Sequence, residues 1–201
     1  MLIGAFSEGN LMAAEAGGSR QPGVNAVALA RDGMLAGQWK LDAQASTAGF
    51  AVRHFWGAIT VRGRFEQFGG GGSVGPDGTA AGQVVIDAGS LNTGNKQRDK
   101  HLRSADFFDV EQHPRVVLTV NTAVPAGEGR LAVDGTLEAG GVSQPVSFTA
   151  DVIDATPDAV TLRAEFSVDR SRFGMTWSPM RMSSMQATGS VTARFTRVPG
   201  A

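Results

Sequence analysis

Apolar and polar residues alternate with a period of two along most of the chain after about Trp39. Successive side chains of a strand point to opposite faces, so this alternation predicts strands. Thr47–His54 sets Ala48, Phe50, Val52 and His54 against Thr47, Gly49, Ala51 and Arg53. Gly57–Glu66 repeats the pattern, with Ile59, Val61, Gly63 and Phe65 on the inner face. Six further runs follow. Gly82–Ala88 turns Val84 and Ile86 inward, and Arg115–Thr122 does so with Val116, Leu118 and Val120. Arg130–Glu138 offers Leu131, Val133, Gly135 and Leu137, and Pro145–Val152 offers Val146, Phe148 and Val152. Ala159–Val168 contributes Val160, Leu162, Ala164, Phe166 and Val168, and Thr188–Thr196 contributes Val191, Ala193 and Phe195. Turn-forming clusters at Gly69–Gly78, Pro125–Gly129, Gly140–Gly141 and Ala155–Asp158 separate most of the runs.

One wet and one dry face per strand implies an antiparallel all-β sheet. Eight such strands can close into an eight-stranded antiparallel barrel without exposed edges, although a two-sheet sandwich has the same local pattern. Several inward positions are small: Gly63, Gly135, Ala150, Ala164 and Ala193. They fit a ligand cavity, and equally tight, strongly coiled stretches of strand. The longest connection, Gly89–Pro114, is expected to hold a short helical segment capped by Thr93 or Asn95. Its Arg98, Lys100 and Arg103, with Arg115, balance Asp99, Asp106, Asp109 and Glu111, which predicts local ion pairs. Phe107 and Phe108 read as anchors, or as a lid over one barrel end. Residues 1–38 lack periodicity and read as a flexible N-terminal extension before a barrel domain spanning 39–198.

Composition narrows the function classes. Lys plus Arg is 18 and Asp plus Glu is 19, a balance that argues against a nucleic-acid partner. The chain has no cysteine, hence no thiol nucleophile and no Cys-ligated metal. No apolar run approaches the ~18 residues of a membrane helix. Met1–Phe6 is too short for the core of a secretory signal and the first charge is Glu8, so a cytoplasmic location is expected. His54 is the one ionisable side chain that the alternation turns inward. It reads as a head-group partner for a ligand, or as a structural histidine bonded to a neighbouring strand or to Trp56. His101 and His113 lie among carboxylates, but their spacing fits no zinc motif, and no metal site is expected. Gly69–Gly72 lacks the Lys-Ser/Thr ending of a phosphate loop and reads as a flexible hairpin loop. Met175, Trp177, Met180, Met182 and Met185 crowd one segment, which suits a pliable barrel mouth or plain core packing. No Gly-x-Ser-x-Gly elbow occurs, and no enzyme activity is expected.

Motifs in order along the chain strengthen this reading. They are Trp39-Lys40-Leu41-Asp42, Phe50-Ala51-Val52-Arg53-His54, Val61-Arg62-Gly63-Arg64-Phe65, the run from Arg98 through Val110 followed by His113-Pro114, Gly135-Thr136-Leu137 with Pro145-Val146, and Arg170 with Phe173-Gly174-Met175. Over about Gly37 to Val198 the chain resembles the YceI-like family of polyisoprenoid-binding, lipocalin-like proteins. It departs from the family pattern at Ala45-Ser46, at Arg172 and at the turn Leu137–Ser143. The resemblance implies an elongated barrel whose tunnel holds a long-chain lipid, such as an isoprenoid or a quinone, without catalysis. Many members of that family are periplasmic. The residues expected to face the ligand are Phe50, Val52, His54, Ile59, Val61, Phe65, Val84, Ile86, Leu118, Val133, Phe148, Leu162, Phe166, Met175 and Trp177. Two alternatives stand beside this: a barrel enzyme with His54 as acid or base, and a filled-barrel interaction module. A homodimer is compatible with all three.

Overall fold

The computed structural model describes residues 28–30, 32–127 and 129–200. Its strands are β1 (Gly37–Leu41), β2 (Thr47–His54), β3 (Ile59–Phe65), β4 (Phe68–Val74), β5 (Ala80–Asp87), β6 (Leu91–Asn92), β7 (Arg115–Pro125), β8 (Arg130–Ala139), β9 (Val142–Ala155), β10 (Ala159–Asp169) and β11 (Ser183–Arg197). The expected helical segment is α1 (Lys96–Leu102), with Asn95 as its cap: the Asn95 side chain accepts from the backbone N–H groups of Gln97 and Arg98.

Pairing is antiparallel throughout, and β1 closes the ring. Its Trp39–Leu41 edge meets Arg197–Phe195 of β11, and its other edge meets β4. The circuit β1-β4-β5-β7-β8-β9-β10-β11 is thus a closed eight-stranded barrel. The remaining length of β11 pairs with β2, which carries β3 on its far side. β1 and β2 are two halves of one strand, broken where Asp42 caps the short helical turn Ala43–Ala45. Ser46 holds the break: its hydroxyl donates to the Asp42 carbonyl at 2.6 Å and accepts from the Arg194 N–H at 2.9 Å.

Two expectations need correction. Gly69–Gly72 is not a hairpin loop but the middle of β4, paired with β5 and, through Gly71 and Gly72, with β1. Backbones approach closely here. A Cβ on Gly71 would stand 2.5 Å from the Trp39 carbonyl oxygen, and one on Gly70 would stand 2.2 Å from that of Gln83. Glycine is required, and with no side chains the segment shows no alternation to read. The second correction concerns the extension. Residues 1–27 lie outside the described residues, but residues 28–30 are helical and Leu29, Ala30 and Leu35 are buried with Trp39, Val152 and Ala155. The Trp39 indole N–H donates to the Leu35 carbonyl at 2.9 Å. This stretch plugs one end of the barrel and belongs to the core.

The other end is built differently. Residues 59–63 of β3 have no strand on their second edge, because β6 reaches only Arg64 and Phe65. The connection after β6 covers this opening: Leu102 and Phe108 pack against Phe50, Phe65 and Leu91. Phe108 lies 6.2 Å from Phe50 and 5.9 Å from Phe65, ring centre to ring centre. The expected ion pairs of this connection do not form as a set; His101–Asp106, at 2.8 Å, is the pair found within it among the described residues. The arginines bond backbone instead. Arg103 donates to the carbonyls of Gly89 (2.8 Å) and Leu91 (2.6 Å), and Arg98 donates to the Thr93 hydroxyl (2.8 Å) and carbonyl (3.0 Å). Buried Asp99 accepts from the Thr93 N–H and hydroxyl at 2.9 and 2.5 Å. Fixing carbonyls that no strand satisfies is the more valuable use of a guanidinium in an irregular loop.

Candidate functional site

The barrel is hollow. An apolar cavity of about 430 Å³ runs through its interior, within the range of about 300–1,000 Å³ typical of small-molecule sites. The strand alternation builds its wall. On β7 the cavity touches Val116, Leu118 and Val120 but neither Val117 nor Thr119, and on β10 it touches Val160, Leu162, Ala164, Phe166 and Val168. Of the residues expected to face a ligand, Phe50, Val52, His54, Val61, Phe65, Val84, Ile86, Leu118, Val133, Phe148, Leu162, Phe166, Met175 and Trp177 line this cavity. Ile59 does not. It is the first residue of β3, 52% exposed at the rim, beyond the point where the wall encloses space. Many of these large side chains are only half-buried although they point inward, because they face the cavity rather than other side chains.

The small inward residues divide between the two readings. Ala150, Ala164 and Ala193 line the cavity, where truncated side chains leave room. Gly63 and Gly135 do not. A Cβ on Gly63 would stand 2.4 Å from the Phe50 ring, and one on Gly135 would stand 2.2 Å from the Thr119 carbonyl oxygen. These two serve close packing of the wall. Inside, Phe148 and Phe166 stack with ring centres 4.6 Å apart.

Polar groups gather at the end opposite the Leu29–Trp39 plug. The His54 ring nitrogen Nδ1 is 2.9 Å from the Ser183 hydroxyl, which stands across from it in the β2–β11 pairing. Burial, then the charges of Arg170 and Arg98, hold the His54 pKa below its ordinary value, so the ring is neutral at pH 7. Arg170 is 6% exposed. Its Nε donates to the Ser184 carbonyl (2.9 Å), Nη2 donates to the Trp177 carbonyl (3.0 Å), and Nη1 donates to the Met175 carbonyl. Arg170 thereby pins the Met-rich segment across the barrel end. Burial lowers its pKa against a smaller opposing effect of Asp169, and it remains a cation at neutral pH. An aromatic chain completes this end: His101 to Trp177 at 4.5 Å, Trp177 to Phe107 at 5.9 Å, and the Arg170 guanidinium 5.7 Å above the Phe107 ring.

Phe107 and Phe108 both line the cavity, so the connection anchors itself on the site it covers. Met175 is buried and Trp177 is 41% exposed, whereas Met180 is 82% exposed. The Met-rich segment is therefore part core and part rim. Arg98, His101, Arg130 and Arg170 also line the cavity and were not expected to. Arg98 and His101 lie in α1 and Arg170 in the single helical turn after β10, pieces too short to announce a direction by their period; the fourth, Arg130, opens β8. Among the described residues no group of His, Asp or Glu side chains is placed to hold a metal ion, and no helix is long and apolar enough to cross a membrane.

Residues 39–196 match the family model of the YceI-like domain. A UPF0312 protein of Vibrio cholerae is 37% identical over 111 residues, 54% of this chain and 58% of that protein. The chain thus spans little more than half the length of this relative and of the other Vibrio cholerae relatives it matches. A UPF0312 protein of Photorhabdus laumondii is 32% identical over 139 residues, 67% of this chain and 71% of its own. Among solved structures, BcnA of Burkholderia cenocepacia superposes with a TM-score of 0.70 at 18% identity, over 77% of this chain and 98% of that one. A polyisoprenoid binding domain from Saccharophagus degradans, implicated in plant cell wall breakdown, gives 0.66 at 20% identity, over 80% and 98%. At these identities the likeness establishes the barrel fold.

Proposed function

Since this chain belongs to the YceI-like domain family, we propose that it is a non-catalytic binding protein that carries a long apolar lipid, of the isoprenoid class, inside its barrel. The observation that supports this is the cavity: about 430 Å³ walled mainly by aliphatic and aromatic side chains, closed at one end by a hydrophobic plug, with most of its ionisable groups at the other. Such a site binds through the tail. Each buried methylene contributes about 0.8 kcal/mol, so a long tail reaches useful affinity with few directed contacts. The polar end sets which way round the molecule lies. The structural neighbour named for polyisoprenoid binding has the same barrel, which is consistent with an isoprenoid tail in this one.

Native mass spectrometry of the protein purified from its source tests the reading. Expected is a stoichiometric adduct, released on denaturation and identified as a long-chain lipid, with saturable rebinding of a polyprenol to the stripped protein. A stripped protein that neither carries nor rebinds any lipid overturns it. The His54–Ser183 pair favours an enzyme instead. Turnover of a bound lipid that is lost in His54→Ala would decide for that reading.

A further inference from the structure

The charge of the cavity is one-sided. The chain as a whole has 18 basic and 19 acidic residues. Yet the ionisable side chains lining the cavity are His54, Arg98, His101, Arg130 and Arg170, and neither an aspartate nor a glutamate is among them. All but Arg130 belong to the polar end. The neighbouring carboxylates bond other groups, and Asp169 acts on Arg170 through its charge without a direct pair among the described residues. Asp99 accepts from Thr93, Asp106 pairs with His101, and Asp169 accepts from the N–H and hydroxyl of Ser171. Neither Arg98 nor Arg170 makes an ion pair among the described residues.

Two guanidinium charges beside a low-dielectric cavity are costly to hold without a counter-charge. Carbonyl bonds satisfy their geometry but leave the charge standing. Donors remain as well. A guanidinium has five N–H groups. Arg98 commits Nε and Nη2 to Thr93 while Nη1 makes no hydrogen bond among the described residues, and Arg170 commits one N–H from each of its nitrogens. Neutral His54 and the Ser183 hydroxyl stand beside them as further hydrogen-bonding groups.

We propose that the polar end of the cavity is an oxyanion subsite: the lipid it takes carries an anionic head group, a carboxylate or a phosphate, that is held by Arg98 and Arg170. This rests on the lipid-binding reading above and adds the head-group class to it. A charge-assisted bond from a guanidinium to an oxyanion is roughly twice as strong as a neutral one, and the fork of N–H groups matches both anions. An alcohol or a quinone head keeps the tail contacts but leaves the charge uncompensated. The net charge of −1 hides this, because the acidic residues lie outside the cavity lining.

Displacement of the neutral fluorescent probe N-phenyl-1-naphthylamine from the full chain tests it, below micelle-forming concentrations and at a pH of about 8. Two matched pairs serve as competitors: palmitoleic acid against palmitoleyl alcohol, and farnesyl phosphate against farnesol. At least one anion should bind about tenfold or more tightly than the alcohol of the same tail. Which pair shows the larger ratio identifies the source of the anion. Arg98→Gln should bring the ratio to about twofold, and Arg98→Lys should restore part of it. Equal binding of anion and alcohol in both pairs overturns the inference and leaves the lipid reading in place. So does a ratio that a folded Arg98→Gln protein keeps unchanged. Failure of all four compounds to displace the probe overturns the lipid reading and this inference with it. The comparison of pairs on the unaltered protein needs no variant to fold.

Discussion

Val84→Trp separates a hollow barrel from a packed one. Val84 sits mid-way along β5, paired with Leu118 on one side and Gly70 on the other, and its side chain lines the cavity while remaining half-buried. An indole built there extends into open space rather than into a neighbouring side chain. In a filled core such an enlargement costs about 1–3 kcal/mol in forced rotamers and backbone shifts. Here that penalty is absent, and the melting temperature should stay within a few degrees of the unaltered protein. Ligand binding should suffer instead. Each tail methylene that the indole displaces forfeits about 0.8 kcal/mol, so the loss of three or four lowers affinity by about 3 kcal/mol, on the order of a hundredfold. Thermal unfolding and probe displacement by a polyprenol, measured on the same preparation, give both quantities. A variant that melts far lower and binds no worse per folded molecule would refute the reasoning, since it would place the side chain in packed wall. A variant of unchanged stability and unchanged affinity would refute it too, since the tail would then lie elsewhere.

Phe108→Ala should cost roughly 3–5 kcal/mol in urea unfolding, because it removes the ring that packs on Phe50 and Phe65 beside the stretch of β3 that lacks a neighbouring strand; a loss under about 1 kcal/mol would show that the connection does not seal the barrel. Leu35→Ala should cost about 2–5 kcal/mol, and deletion through residue 38 should leave a protein without a cooperative melt, since Leu29, Ala30 and Leu35 form the plug with Trp39; a truncated chain that melts like the full one would contradict this. Acidification tests His54. Its folded-state pKa lies below the ordinary 6.5, so the unfolded chain binds the extra proton first and stability falls as pH drops below about 6.5. The lowered carboxylates begin to act only near and below their ordinary values, 4.5 for Glu66 and 3.8 for Asp77 and Asp169. The fall in melting temperature between about pH 7.5 and 5.5 should therefore be smaller in His54→Gln than in the unaltered protein, and an equal fall in both would show that His54 is not the group responsible.

Eight of the eleven strands were legible in the sequence as alternating runs, because the period of two is a local property. Thr47–His54 is a strand from its first residue to its last, and the inward set of β7 and β10 is the set that alternation names. The helix in the long connection was legible for the same reason, with Asn95 one of two caps the sequence offers: capping acts over three residues. Tertiary structure decided the rest. Nothing local distinguishes Ala164, which opens space, from Gly135, which lets two backbones touch; the difference lies in what stands opposite, Thr119 in the second case. β4 is invisible because a run of glycines has no side chains to alternate, and its role depends on Trp39 and Gln83 approaching from two other strands. The plug requires Leu29 and Leu35 to meet Val152 and Ala155, and closure requires Trp39 to pair with Arg197. The cationic end is assembled from α1 and the helical turn after β10, whose Arg98 and Arg170 lie far apart in the chain. Their common direction follows from closing the barrel, since only a closed wall gives a loop an interior to face.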